Sequence, residues 1–179
     1  MISADLTKIK IFVTGGVGGV HRGAEESFDI SADLEELKRT SVAVIAAGAK
    51  SILDLGLTLE KLETFGVPVL GYQTKELPAF YSRHSGFNVD YKLESPEHTA
   101  DILKTRWELG LEGGVLIANP VPEVDEIEYS VINKKIEQAL SDAKAKGIKG
   151  KELTPFLLDR IKEITDGQSL ETNIALVRN

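Results

Sequence analysis

One lysine and a short row of acids carry the chemistry this sequence can offer. Lys50 follows Ser41–Ala47 (SVAVIAA), a run of small and apolar residues, after only Gly48 and Ala49. Most lysines are solvated, but one buried at the mouth of a central strand is a competent amine nucleophile towards an aldehyde or ketone. Asp29 and Asp33 lie four residues apart, with Ser31 and Ala32 between them. Two carboxylates at that spacing can hold a hard divalent ion, or one can act as a general base. Equally, acids in that position complement the N-terminus of a helix. His21 and Arg22 stand together in a glycine-rich stretch, where they could contact an anion or satisfy the loop itself. His84 and His98 have no ligand spacing and read as surface residues.

The stretch that must position these groups runs from Ile9 to Asp33, IKIFVTGGVGGVHRGAEESFDISAD. It begins as an apolar, β-branched run, Ile9–Val13, which is expected to form a buried strand. After Thr14 it breaks into Gly15, Gly16, Gly18, Gly19 and Gly23. A buried strand feeding a glycine turn brings backbone N–H groups up to a ligand, often a phosphate. The dinucleotide fingerprint fails here, because the third glycine after Gly16 and Gly18 would fall at His21. A P-loop from Gly18 to Gly23 would need lysine where Ala24 stands. No Gly-x-Ser-x-Gly elbow supports serine-triad chemistry.

Residues 1–8 read as the end of a helix, and Ser31–Lys38 as a helix anchored by Leu34 and Leu37. Ser41–Ala47 reads as a fully buried strand. A short helix, Ser51–Leu55, ended by Gly56, and a second, Leu59–Phe65, capped by Thr58, are expected next. Val67–Leu70 and Gly113–Ala118 are apolar strands, and Phe87–Tyr91 is a peripheral one. Ser95-Pro96 starts a helix that carries Ala100, Leu103 and Trp107 on one face and stops at Gly110. An acidic surface loop over 122–128 precedes helices Val131–Lys146 and Pro155–Ile164, the second capped by Thr154. Ser169 is expected to cap a last helix towards Asn179. Short apolar strands alternating with helices predict an α/β fold, with a mainly parallel sheet covered by helices on both faces. Ligands in such sheets sit beyond the C-terminal strand ends, which groups the Thr14–Asp33 loop, Lys50 and Asn119.

The 179 residues suit one domain. A net charge of −7 and a pI near 5.1 argue against a duplex nucleic-acid binder, though not against a nucleotide-sized anion. The absence of cysteine removes disulfides, thiolate catalysis and a cysteine-based zinc site. No run of 18 or more apolar residues exists to span a membrane, and Met1–Val13 lacks a signal-peptide layout. A cytoplasmic protein is the default expectation.

The stretches FVTGGVGGVHRGAE, FDISADL, AGAKSILDLG, ETFGVPVLGYQT, LPAFYSR, IANPVPE, GKELTPFLL and SLETNIALV occur in this order across nearly the whole chain. Together they resemble the pseudouridine-5′-phosphate glycosidase family, also called indigoidine synthase A-like. The resemblance implies a three-layer α/β/α sandwich, a manganese ion (Mn2+) and a homotrimer. It also implies reversible cleavage of the C–C glycosidic bond of pseudouridine 5′-phosphate to uracil and ribose 5-phosphate. By resemblance, Lys50 forms a Schiff base with ring-opened ribose 5-phosphate, and Asp29 holds the metal, largely through water. Ser31, Ala32 and Asp33 meet the substrate, with Ser31 near the phosphate and Asp33 as acid/base. Thr14, His21 and Asn173 line the same pocket. Family members are longer, and an N-terminal part carrying a catalytic acid and a phosphate-binding lysine is expected to lie outside this chain, as is the end of the final helix. Residues 1–179 would then be a single, incomplete α/β domain. A competing expectation is a non-catalytic or split-enzyme fragment that binds a sugar phosphate.

Overall fold

Short strands and longer helices alternate in the computed structural model, which describes residues 1–179. The first half runs α1 (Ile2–Leu6), β1 (Ile11–Val13), β2 (Val20–His21), α2 (Ala24–Ser27), α3 (Ala32–Arg39), β3 (Ala43–Ala46), β4 (Leu53–Asp54) and α4 (Leu55–Thr64). The second half runs β5 (Val69–Tyr72), β6 (Tyr91–Leu93), α5 (Pro96–Glu108), β7 (Val115–Ala118), α6 (Tyr129–Ala145), α7 (Leu153–Ile164) and α8 (Gln168–Arg178). Five strands form one sheet in the order β1-β3-β7-β5-β6, and every neighbouring pair is parallel. β2 and β4 pair antiparallel as a separate ribbon.

Successive side chains of a strand point to opposite faces, so β3 and β7 feed two apolar layers at once. On one face Ala43, Leu70, Val115 and Ile117 meet Leu103 of α5, flanked by the partly buried Ile102 and Trp107. On the other, Val44, Ala46, Val69, Leu116 and Ala118 join Leu34 and Leu37 of α3, Leu62 of α4, Ile132 and Ile136 of α6, and Leu157 and Ile161 of α7. Each fully buried leucine or isoleucine contributes about 1.5–3 kcal/mol of burial free energy. The arrangement is the expected α/β/α layering around a parallel sheet. One of its layers is α5 alone.

α3 shows how local sequence sets an element. Ser31 caps it, with Oγ accepting the Asp33 N–H. Asp33 and Glu35 sit in its first turn and Lys38 and Arg39 in its last, each sign on the dipole end that favours it. Leu34 and Leu37 bury its inner face.

Several expectations are corrected. The strand expected over Ile9–Val13 is Ile11–Val13 and is not buried: Ile11, Phe12 and Val13 are 49, 38 and 61% exposed. The cause is its place at the sheet edge, with β3 on one side only. No helix forms over Ser51–Leu55: Ser51 and Ile52 turn, Leu53–Asp54 is β4, and the one helix here, α4, begins at Leu55 with the Asp54 carboxylate accepting the Leu57 N–H. Thr58 therefore lies inside α4 and turns into the core, where it accepts the Val20 N–H and donates to Asp54 O. Thr154 and Ser169 are not caps either, since α7 and α8 begin after Glu152 and Gly167. Ser169 is buried instead, and Thr165 Oγ1 accepts its N–H. The acidic segment 122–128 holds a 3-10 turn, Glu123–Asp125, but Ile127 within it is buried. The peripheral strand is Tyr91–Leu93 rather than Phe87–Tyr91, and Ala100 on α5 is exposed. Ser95 caps α5 as expected, with its Oγ accepting the His98 N–H. No helix is long and apolar enough to cross a membrane.

Candidate functional site

Two turns run side by side beyond the C-terminal ends of β1 and β3. The Thr14 N–H donates to Ile45 O at 3.0 Å, and the Ala47 N–H to Gly15 O at 2.9 Å. Further on, the Val17 N–H donates to Gly48 O and the Lys50 N–H to Val17 O, each at 3.1 Å. Val17 and Ala49 form a parallel bridge there. Main-chain pairing thus continues past both strands and sets Lys50 against the glycine loop. The β2–β4 ribbon extends the same contact, with His21 opposite Leu53 and Val20 opposite Asp54.

The acids return to that loop from the other side. The His21 N–H donates to Asp29 O at 3.0 Å and the Ser31 N–H to Gly19 O at 2.9 Å. The Asp33 carboxylate accepts the Gly18 N–H at 2.8 Å. A Cβ on Gly18 would overlap Ser31 Oγ and stand 2.9 Å from Asp33 Oδ2, so only glycine admits this approach. The helix-start role and the loop-contact role of Asp33 are therefore held by one carboxylate. Asn173, on α8, reaches the same loop: its Oδ1 would lie 3.5 Å from a Cβ placed on Gly15.

Lys50, expected to be enclosed, is half-buried. Its neighbours Ala49 and Ser51 are buried, and Ser51 Oγ has no hydrogen-bond partner. The alternatives for Arg22 resolve towards a loop contact. Its guanidinium donates to Ser51 O at 3.3 Å, Leu53 O at 3.5 Å and Asn133 Oδ1 at 3.1 Å, steadying the turn that follows Lys50. Thr14 and Asn119 share a groove of about 440 Å³ on the α5 side of the sheet, lined mainly by apolar residues. Lys50, Asp29, Ser31, Asp33 and His21 do not line it. His84 is exposed as expected and pairs with Glu76 at 2.9 Å, whereas His98 is half-buried.

A strap over both turns escaped the sequence reasoning. The Phe80 N–H donates to Ala47 O at 3.1 Å, and its ring lies 2.6 Å from where a Gly16 Cβ would stand. Carboxylates tie the strap down at each end. Glu126 accepts the Ser82 hydroxyl at 2.9 Å and the Arg83 N–H at 2.8 Å. Glu76 accepts the Ser85 and Gly86 N–H groups and contacts His84 Nδ1. Burial pushes the Glu76 carboxyl up, but the His84 side chain and the Gly86 and Ser85 N–H groups outweigh it and hold the group below its ordinary value. The signal in the sequence was LPAFYSR, where aromatic and apolar residues without helix or strand periodicity precede Ser82.

No group of three or more His, Cys, Asp or Glu side chains is arranged to hold a metal ion. Asp29, half-buried, offers a single hard carboxylate. A divalent ion there would keep most of its water shell, as magnesium-like ions do with one or two carboxylates.

Fold and site define an α/β protein whose lysine-bearing turn and carboxylate-bearing loop are laced together beyond a parallel sheet. The sequence profile of the family described as "Indigoidine synthase A like protein" matches residues 1–179. The chain belongs to that family. Its curated relatives include the pseudouridine-5′-phosphate glycosidases of Geobacillus kaustophilus (strain HTA426), 64% identical over 179 residues, and of Petrotoga mobilis (strain DSM 10674 / SJ95), 62% identical over 179 residues. Each match takes in 100% of this chain but 60% and 58% of the relative, so the chain spans about three-fifths of their length. Among solved structures, prealnumycin C-glycosynthase AlnA in complex with ribulose 5-phosphate superposes with a TM-score of 0.91 at 35% identity, covering 98% of this chain and 58% of that one. An indigoidine synthase A-like protein from Thermotoga maritima gives 0.88 at 38% identity, covering 98% and 57%.

Proposed function

We propose that this chain supplies the lysine and the acidic loop of a pseudouridine-5′-phosphate glycosidase. The observation that carries the reading is the backbone lacing that holds Lys50 against Val17 of the glycine loop, whose next residues Gly18, Gly19 and His21 bond Asp33, Ser31 and Asp29. Curated relatives at 64 and 62% identity bear that enzyme's name, and a solved relative was crystallised with a sugar phosphate.

Pseudouridine joins its base through carbon, a far poorer leaving group than a nucleoside nitrogen. Carboxylates alone give no electron sink for that bond. In the synthetic direction Lys50 Nζ adds to the C1 aldehyde of open-chain ribose 5-phosphate, and loss of water leaves a protonated imine. Uracil C5 attacks C1, the C=N pair returns to Nζ, and C5 gives up its proton. Closure of the sugar through its ring oxygen then expels the lysine amine. Cleavage is the reverse sequence. Asp33 moves the protons that ring opening and closure require. Ser31 and Ala32, at the N-terminus of α3, meet the substrate, with Ser31 near the phosphate. Thr14, His21 and Asn173 line the rest of the pocket. Asp29 would hold Mn2+ largely through water, the ion supplying positive charge near the substrate. The homotrimer belongs to the same proposal.

The length comparison favours a second reading: a partial domain that binds a sugar phosphate but needs the remainder of the family chain for turnover. Borohydride trapping tests both. With ribose 5-phosphate and Mn2+, a reduced adduct is expected on the peptide carrying Lys50 and absent in Lys50→Arg. No adduct, or one that persists in Lys50→Arg, overturns the imine reading. An adduct without uracil release from pseudouridine 5′-phosphate selects the second reading.

A further inference from the structure

α8 buries hydroxyls where a surface helix ordinarily buries aliphatic side chains. Its inward stripe, at the i, i+3, i+7 spacing of one helix face, is Ser169, Thr172 and Leu176, all buried, while Leu170, Ile174 and Val177 are exposed. Both hydroxyls have specific partners. Thr172 Oγ1 donates to Asp125 O at 2.8 Å, and Ser169 Oγ lies 3.0 Å from Thr165 Oγ1 at the end of α7. At the far end of α8, Asn179 Nδ2 donates to Pro120 O at 2.9 Å. Pro120 and Asp125 both belong to the segment that leaves β7, so α8 is pinned to that segment at two points.

These pins hold a contact with the glycine loop in place. A Cβ on Gly15 would meet Val177 Cγ2 at 3.2 Å, Leu176 Cδ1 at 3.3 Å and Asn173 Oδ1 at 3.5 Å, so α8 lies directly against the loop. Apolar contacts alone let a helix slide or turn at little cost, whereas a buried hydrogen bond is satisfied in one register only. Thr172 stands next to Asn173 and gives its hydrogen bond to a backbone carbonyl 47 residues away in the chain.

We propose that Thr172, supported by Ser169, is a positioning residue: its bond to Asp125 O sets the register of α8 and so aims Asn173 at the glycine loop, where a sugar phosphate binds. This role rests on the sugar-phosphate pocket proposed above, not on imine formation at Lys50.

Ribose 5-phosphate binding, titrated by calorimetry in the Lys50→Arg background where no imine forms, tests the role. The titrations are made at a temperature where every variant is folded by circular dichroism. Asn173→Ala is expected to weaken binding about tenfold, the value of one good hydrogen bond. Thr172→Val is expected to weaken it about three- to tenfold, and Thr172→Ser to restore it. Combined with Asn173→Ala, Thr172→Val is expected to add nothing, since it acts only through that side chain. If Thr172→Val does not fold, Thr172→Ala carries the same expectation. Undiminished affinity in the valine or alanine variant overturns the proposal. So does a loss that multiplies with that of Asn173→Ala, which is how a merely structural threonine would behave. No binding in the Lys50→Arg background itself sinks the sugar-phosphate reading and this role together, whereas normal binding with an indifferent Thr172 sinks the role alone.

Discussion

The Asp33 carboxylate accepts the backbone N–H of Gly18 across fifteen residues of chain, at 2.8 Å. One side chain thus fastens the glycine loop to the first turn of α3 and, in the proposed reaction, is also the group that moves protons. Its two duties separate by substitution. Asp33→Asn keeps an acceptor for Gly18 but loses the titratable group, so stability by urea denaturation stays close to that of the parent. Lys50 trapping by ribose 5-phosphate slows by about 10²–10⁴-fold, the usual share of a general acid/base. Asp33→Ala leaves the buried Gly18 N–H without its partner and costs about 1–3 kcal/mol of stability as well. Unchanged trapping in Asp33→Asn would reduce Asp33 to a structural tie.

Thr58 is the buried hinge between α4 and the loop, accepting the Val20 N–H at 2.9 Å and donating to Asp54 O at 2.6 Å. Thr58→Val preserves shape but orphans the buried Val20 donor, for a loss of about 1–3 kcal/mol. In a chain of this size each kcal/mol lowers Tm by about 2–4 °C. Thr58→Ser keeps the hydroxyl and recovers most of that loss. Thermal unfolding of the pair decides it: equal Tm values for the two variants would mean that the hydrogen bond contributes nothing.

Thr58 also shows what a sequence conceals. Its type and its place after glycine suit a helix cap, but Asp54 starts the helix four residues earlier, and only the tertiary contact with Val20 explains a threonine there. The parallel sheet was legible because β3 and β7 are short, fully apolar runs ended by small residues, and Ser31 and Ser95 announced α3 and α5. The burial of β1 was not legible. Ile11, Phe12 and Val13 have core composition, and edge position depends on strand order, which no local pattern encodes. Of the site, Lys50, Asp29, Ser31 and Asp33 stood out through strand-end logic and spacing. The strap through Phe80 did not, because its contacts with Gly16 and Ala47 span more than thirty residues and leave no periodic trace.

Glu76 gives the strap a pH dependence with a definite sign. Its carboxyl is held below its ordinary value in the folded protein, chiefly by His84 and the N–H groups of Gly86 and Ser85 acting against burial. A depressed carboxylate contributes stability that is present above its unfolded pKa and is lost as pH falls through the folded one. The parent is therefore more stable than Glu76→Gln at pH 7, by a modest amount because the side chain is partly solvated. The gap closes below roughly pH 4. Urea unfolding of both proteins between pH 7 and pH 3.5 reads it out, and a gap that stays constant across that range would remove the carboxylate charge as its origin.

Phe80 connects this strap to chemistry. Its backbone holds a positive φ of 66°, its N–H bonds Ala47 O, and its ring covers Gly16, so one residue presses on the turns that carry Lys50 and Thr14. Phe80→Ala empties a buried site and costs about 3–5 kcal/mol, enough to confuse misplacement with unfolding. Phe80→Leu keeps most of the apolar volume and costs less, so it is the sharper probe. At a temperature where the leucine variant is fully folded by circular dichroism, borohydride trapping of ribose 5-phosphate on Lys50 should fall about tenfold or more, since small misplacement of a reacting group is expensive. Apparent affinity for ribose 5-phosphate should change less, because the acidic loop is fastened separately through Gly18 and Gly19. Trapping at the parental rate in a folded Phe80→Leu protein would show that the ring merely fills space above Gly16.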